Sequence, residues 1–196
     1  MRHLTLPLIV ALTIVLGSFT PAANAEDPHA PRRPPPSPGT GAFDGHRVVA
    51  RLSGFQEVPA ISTTGFGTFK ATWTDPITDP PSINFELKYE ALEGGTPTAA
   101  HIHFGQYSVN GGISVFLCGG SKPACPAGPA TVTGSFAAAD VVGPTGQGIA
   151  AGELRELVKA IRAGVAYVNV HTPTYPSGEI RGQIRRLDDH RGSDDD

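Results

Sequence analysis

The chain has 196 residues with 15 basic and 18 acidic side chains, a formal net charge of −3. So mild an acidity, with no basic cluster, excludes a nucleic-acid-binding class, which needs a positive face. A 39% hydrophobic content alongside 24 glycines and 19 prolines supports one ordinary core with turn-rich connections and tails.

The chain opens with Met1-Arg2-His3, continues through a charge-free apolar stretch from Leu4 to Leu16, and reaches the small tripeptide Ala23-Asn24-Ala25. A basic start, an apolar segment and an A-x-A site in that order read as a signal peptide over 1–25. The apolar part is shorter than the ~20 residues a helix needs to cross a bilayer. The expectation is an exported protein, secreted or periplasmic, with no membrane insertion after cleavage. Residues 26–44 carry prolines at 28, 31, 34, 35, 36 and 38 and no apolar periodicity, so they read as an extended Pro-rich linker. Residues 45–187 read as one domain, and 188–196, ending in Asp194-Asp195-Asp196, as an acidic disordered tail.

Within the domain, alternation with period two dominates. Val48, Ala50 and Leu52 alternate with Arg47 and Arg51; Phe69, Ala71 and Trp73 with Thr68, Lys70 and Thr72; Ile83, Phe85, Leu87 and Tyr89 with Asn84, Glu86 and Lys88. Each pattern describes a strand with one buried and one wetter side. Further strands fit 99–104, 112–117, 130–136, 165–171 and 179–186. Along the last of these, Glu179, Arg181, Gln183 and Arg185 share a face that reads as solvated, with cross-strand ion pairs. About eight strands separated by Gly/Pro/Asn/Asp turns point to an all-β, antiparallel, Greek-key-like β-sandwich. One segment departs from this rule. Leu154, Leu157, Val158 and Ile161 follow helical spacing and Gly164 ends the run, so a short amphipathic helix caps the sandwich.

Cys118 and Cys125 flank a six-residue loop rich in Gly, Pro and Ala. In an oxidising compartment such a pair reads as a disulfide, whereas Cys-x6-Cys matches no common metal-ligand spacing.

Three stretches together resemble the CHRD (chordin-type) family: Leu52-Ser53-Gly54-Phe55-Gln56-Glu57-Val58-Pro59, Ala100-His101-Ile102-His103-Phe104-Gly105, and Ala166-Tyr167-Val168-Asn169-Val170-His171-Thr172 leading to Gly178-Glu179-Ile180-Arg181-Gly182-Gln183-Ile184. The resemblance implies a β-sandwich module found in chordin, an extracellular antagonist of bone morphogenetic proteins, and in many secreted bacterial proteins. It does not imply growth-factor binding, because chordin's cysteine-rich repeats have no counterpart in a chain with two cysteines.

The informative histidines are His101, His103 and His171; His29, His46 and His190 lie in or near the tails. His-x-His on a strand places two imidazoles on one face, about 6.5–7 Å apart at Cα, near enough to meet at one ion. His171 ends a later strand on the side of Tyr167 and Asn169, so a three-imidazole site forms if the two strands adjoin. Imidazole ligation suits copper, and after it zinc. Tyr175, Glu179 and Arg181 are candidates to support these rings through hydrogen bonds. The His-x-His pair also resembles the copper clip of copper/zinc superoxide dismutases, but no histidine lies between His103 and His171. That family's bridging histidine and zinc cluster are therefore absent, and dismutase activity is not carried over. No catalytic residue is assigned, since the chain has no Gly-x-Ser-x-Gly elbow and its cysteines are used as a disulfide. The leading reading is an exported interaction module for an extracytoplasmic protein, holding one copper or zinc ion. The alternatives are a dismutase-like copper redox protein or metal carrier, and a metal-free structural envelope domain in which the histidines serve only as hydrogen-bonding residues.

Overall fold

The computed structural model describes residues 45–74 and 82–187. The expected signal peptide, linker and acidic tail lie outside the described residues. The strands, in chain order, are β1 (Gly45–Ser53), β2 (Phe66–Thr74), β3 (Ile83–Glu90), β4 (Ala99–Phe104), β5 (Gly112–Cys118), β6 (Ala130–Phe136), β7 (Ala166–His171), β8 (Ile180–Gln183) and β9 (Arg185–Arg186), with one helix, α1 (Leu154–Arg162), before β7. They form a single antiparallel sheet in the order β5-β4-β7-β8-β1-β2-β3-β6, with β9 alongside β1. The sheet curls until its two ends, β5 and β6, approach each other. The fold is the all-β architecture with a short helix that the alternation predicts, nearly closed like a barrel.

In the half built from β1, β2 and β3 the expected faces hold. Val48, Ala50, Leu52, Phe69, Ala71, Trp73, Ile83, Phe85, Leu87 and Tyr89 are buried, while Arg51, Lys70 and Lys88 on the reverse face are exposed. A small-period stripe is enough here because only one side of the sheet packs against anything. The helix contributes Leu154, Leu157, Val158 and Ile161 to the same core and packs against β7 and β9. Gly164, at φ +71°, supplies the left-handed residue that lets the chain leave the helix for β7.

The half built from β4, β7 and β8 differs. Ala100, Ile102, Val168, Val170, Ile180 and Ile184 face the core, but the opposite face is also covered. The run expected as one strand over 179–186 breaks at Ile184, whose N–H pairs with the Ala166 carbonyl (2.9 Å), and β9 then pairs with Val48 and Val49 of β1. More consequentially, the polar stripe on this run is not a solvated face. Glu179 is 0%, Arg181 1% and Gln183 8% exposed, and of the four residues only Arg185 lies in the open.

Loops account for that correction. Arg181 donates to the carbonyls of Gln106 (3.1 Å) and Val109 (2.9 Å) and to Asn110 Oδ1 (3.3 Å), all on the β4–β5 connection. Asn110 in turn donates to the Val58 carbonyl (2.9 Å) on the segment that follows β1, so the two loops form one roof over the stripe. A buried guanidinium is tolerated because its donors are met. Glu179 is met as fully: Thr63 and the Glu93 backbone N–H donate to Oε1 (2.7 and 2.6 Å), Thr172 and the Gly94 N–H to Oε2 (2.9 and 3.0 Å). Cys118 and Cys125 form the expected disulfide, which closes the loop after β5.

Candidate functional site: a buried three-histidine cluster

The pairing of β4 with β7 sets His101 opposite Asn169 and His103 opposite Tyr167, with His171 opposite Ala99 one step further along. Period two then sends His101, His103, Tyr167, Asn169 and His171 to one side of the sheet. The three imidazoles converge there. Ring centroids are 4.7 Å apart for His101 and His171, 5.4 Å for His101 and His103, and 6.1 Å for His103 and His171. One ring nitrogen from each residue lies within 4.8 Å of the other two.

The hydrogen bonds assign the tautomers. His103 Nδ1 faces the Gly111 carbonyl at 2.9 Å and His171 Nδ1 the Pro176 carbonyl at 3.0 Å. A carbonyl only accepts, so both Nδ1 atoms carry the proton and both Nε2 atoms present a lone pair. His101 Nδ1 lies 3.0 Å from His171 Nε2 and is therefore the donor, which leaves the lone pair of His101 on Nε2. By hydrogen-bond distance the Nε2 atoms of His101 and His103 are buried and unpartnered, with the Asn169 side chain near enough to His103 to act on its ring. Two unpartnered lone pairs in a site 6% exposed at each ring are costly unless something electron-poor sits against them.

Protonation would block that role, and the surroundings oppose it. Burial, with the neighbouring His171 and His103 rings adding to it, pushes His101 down to about 3. Burial likewise pushes His103 down to about 4, against the opposing pull of the Gly111 carbonyl. His171 is lowered too, again chiefly by burial. The rings are neutral at neutral pH, the form that ligates. His171 is the most exposed residue of the three.

Aromatic and cationic groups hold the cluster from behind. Tyr167 stacks on His103 with centroids 4.8 Å apart and planes 5° apart, and the Arg181 guanidinium carbon sits 3.5 Å from the centre of the Tyr167 ring. Phe116 meets His101 edge-on at 4.4 Å. The structure thus places Arg181 against the cluster through Tyr167, with its N–H groups turned to loop carbonyls and to Asn110 rather than to open solvent. Glu179 is spent on Thr63, Thr172 and the two backbone amides. Tyr175 acts through its backbone: its carbonyl accepts from the N–H groups of Thr172 (3.3 Å) and Gly178 (3.1 Å), shaping the turn that presents the Pro176 carbonyl to His171.

The CHRD domain profile matches residues 48–184. The chain belongs to the CHRD domain family. No curated protein and no solved structure shows significant similarity to it. The CHRD match spans all three motifs and every residue of the cluster, and family membership together with the Cys118–Cys125 disulfide is consistent with an extracytoplasmic setting.

Two features of this CHRD domain's site escaped the sequence reading. Glu57, read there only as part of a family-like stretch, is 6% exposed with an unpartnered Oε1. Tyr167 was placed on the histidine side but given no role. The period-two stripe Tyr167-Asn169-His171 carried the signal for the second; nothing local signals the first, because the fold brings Glu57 in on a loop.

Proposed function

We propose that this chain is an exported CHRD-type interaction module that binds one copper ion through His101, His103 and His171. The observation that carries the reading is the tautomer pattern: neutral imidazoles from two paired strands, two of them oriented by backbone carbonyls on Nδ1, with lone pairs left buried and unpartnered. Carbonyl acceptors behind ligating histidines are the usual means of fixing ring orientation and raising ligand basicity. With ligand nitrogens already within 4.8 Å of one another, bonds of about 2.0–2.1 Å require ring movements of roughly an ångström. To ligate through Nε2, His171 gives up the hydrogen bond it accepts from His101 Nδ1. Three neutral nitrogens favour copper over zinc by the general order of divalent affinities. Cleavage after Ala25 delivers the chain to an oxidising compartment, where the disulfide persists.

The test is metal analysis of the purified protein after loading with copper or zinc and removal of excess, beside the His101→Ala/His103→Ala double variant. One equivalent retained by the parent and lost in the variant supports the reading. Retention by neither leaves the histidines as hydrogen-bonding residues of a metal-free module. Superoxide consumption by the loaded protein would favour the redox alternative.

A further inference from the structure

A dication seated among neutral imidazoles adds two positive charges to a layer that already holds the Arg181 guanidinium, 1% exposed. Low-dielectric surroundings do not tolerate such an excess without a compensating anion. Among the described residues the buried acidic side chains are Glu57 and Glu179. Glu179 is already held by four donors from Thr63, Glu93, Gly94 and Thr172.

Glu57 is placed differently. It enters on the loop after β1, and its Oε1 has no partner. Gly178 shows where it lies. A Cβ at that glycine would collide with Glu57 Oε1 and come within 2.8 Å of Asn169 Nδ2, so the carboxyl and the Asn169 carboxamide meet over the same bare backbone. Gly178 has φ +129°, a conformation that glycine adopts at little cost, and its missing side chain is the space the two groups occupy. Asn169 is the cross-strand partner of His101 and lies two residues before His171 on the same face; its Oδ1 is likewise buried and unpartnered. The groups facing Glu57 are the Arg181 guanidinium from β8, the Tyr167 hydroxyl from β7, and the Val58 N–H of its own loop.

Resting on the three-histidine reading above, we propose that Glu57 is the charge-compensating residue of the metal site: occupation of the histidines drives its carboxyl proton into solvent, and the carboxylate left behind balances the ion across Asn169. The step is a proton transfer from the carboxyl to bulk water or buffer, with no change of oxidation state. Burial, opposed by Arg181, raises the free protein's Glu57 to about 7, so the proton is present to be released in mildly acidic solution. Asn169 relays the interaction, its carboxamide reaching toward both the carboxyl and His103.

The experiment is copper titration of the full protein at about pH 6, in two buffers of different ionisation enthalpy, so that calorimetry counts the protons released. The parent is expected to release one proton per ion and Glu57→Gln none. Copper affinity of the parent should also strengthen about tenfold per pH unit between roughly pH 5 and 7, and that of Glu57→Gln far less, as linkage requires. The infrared carbonyl stretch of a protonated buried carboxyl gives a second readout on the unaltered protein: it should vanish as copper is added. Binding of one ion with no proton released, or with equal release from Glu57→Gln, or with the carboxyl band unchanged, overturns the role of Glu57 while leaving the histidine site standing. A protein that takes up no copper, or takes it up equally with His101 and His103 replaced by alanine, overturns both.

Discussion

The two halves of the sheet carry the same alternating pattern and use it in opposite ways. In β1–β3 the polar positions point into water: Lys70 and Lys88 are exposed, and Glu86 sits 3.1 Å from Lys88 as an ordinary surface pair. In β4, β7 and β8 the polar positions are roofed by the loop after β1 and the β4–β5 connection, and His101, His103, Asn169, Glu179, Arg181 and Gln183 are all buried. The difference teaches that a polar stripe on a strand states only what the sheet's own core does not want. Whether the stripe meets water or a second, polar layer depends on loops from elsewhere in the chain.

Replacement within the two layers should separate them sharply. Arg181→Ala removes three hydrogen bonds to the roofing loop and the cation over Tyr167 and opens a cavity, so we expect a loss of about 3–5 kcal/mol in denaturant unfolding. Leu87→Ala, in the apolar core of the other half, should cost about 2–5 kcal/mol by cavity formation, and Phe85→Ala a comparable amount. Lys70→Ala, on the wet face, should change stability by less than about 0.5 kcal/mol. If Arg181→Ala were as silent as Lys70→Ala, the polar layer would not be the packed structure described above.

The polar layer also has a distinctive pH response that the apolar half lacks. The histidines have folded-state values below their unfolded 6.5, about 3 for His101 and about 4 for His103. The folded state therefore binds fewer protons than the unfolded chain between those limits. Their contribution to stability is present above about pH 6.5 and is lost as pH falls toward 4 and 3. Glu57 has the opposite sign: its value is raised from 4.5 to about 7, so its contribution is present below about 4.5 and is lost as pH rises through 7. Urea unfolding of metal-free protein should show an acid-side decline that His101→Ala/His103→Ala makes shallower, and a neutral-side decline that Glu57→Gln removes.

What could be read from the sequence follows from the same contrast. Strands β4 and β6 were expected at the residues where they occur, and α1 at its full apolar stripe, because local periodicity records which face meets the core. The three histidines could be named because a His-x-His step and the end of a Tyr-x-Asn-x-His stripe share a parity that strand pairing preserves. The burial of Glu179, Arg181 and Gln183 could not, since it is produced by segments distant in sequence: Thr63, Glu93 and Gly94 around Glu179, Gln106, Val109 and Asn110 around Arg181, and Gly105 beside Gln183. Glu57 was hidden for the same reason: its partners Asn169, Gly178 and Arg181 adjoin it only after the chain has closed.

The central claim is that the three imidazoles form one ligand set. X-ray absorption and electron paramagnetic resonance of the copper-loaded protein, recorded beside the His171→Ala variant, address it most directly. The account predicts imidazole nitrogen ligation by three rings in the parent and by two, with weaker retention, in the variant. Copper bound with identical spectra in both, or held by groups outside this cluster, would contradict it.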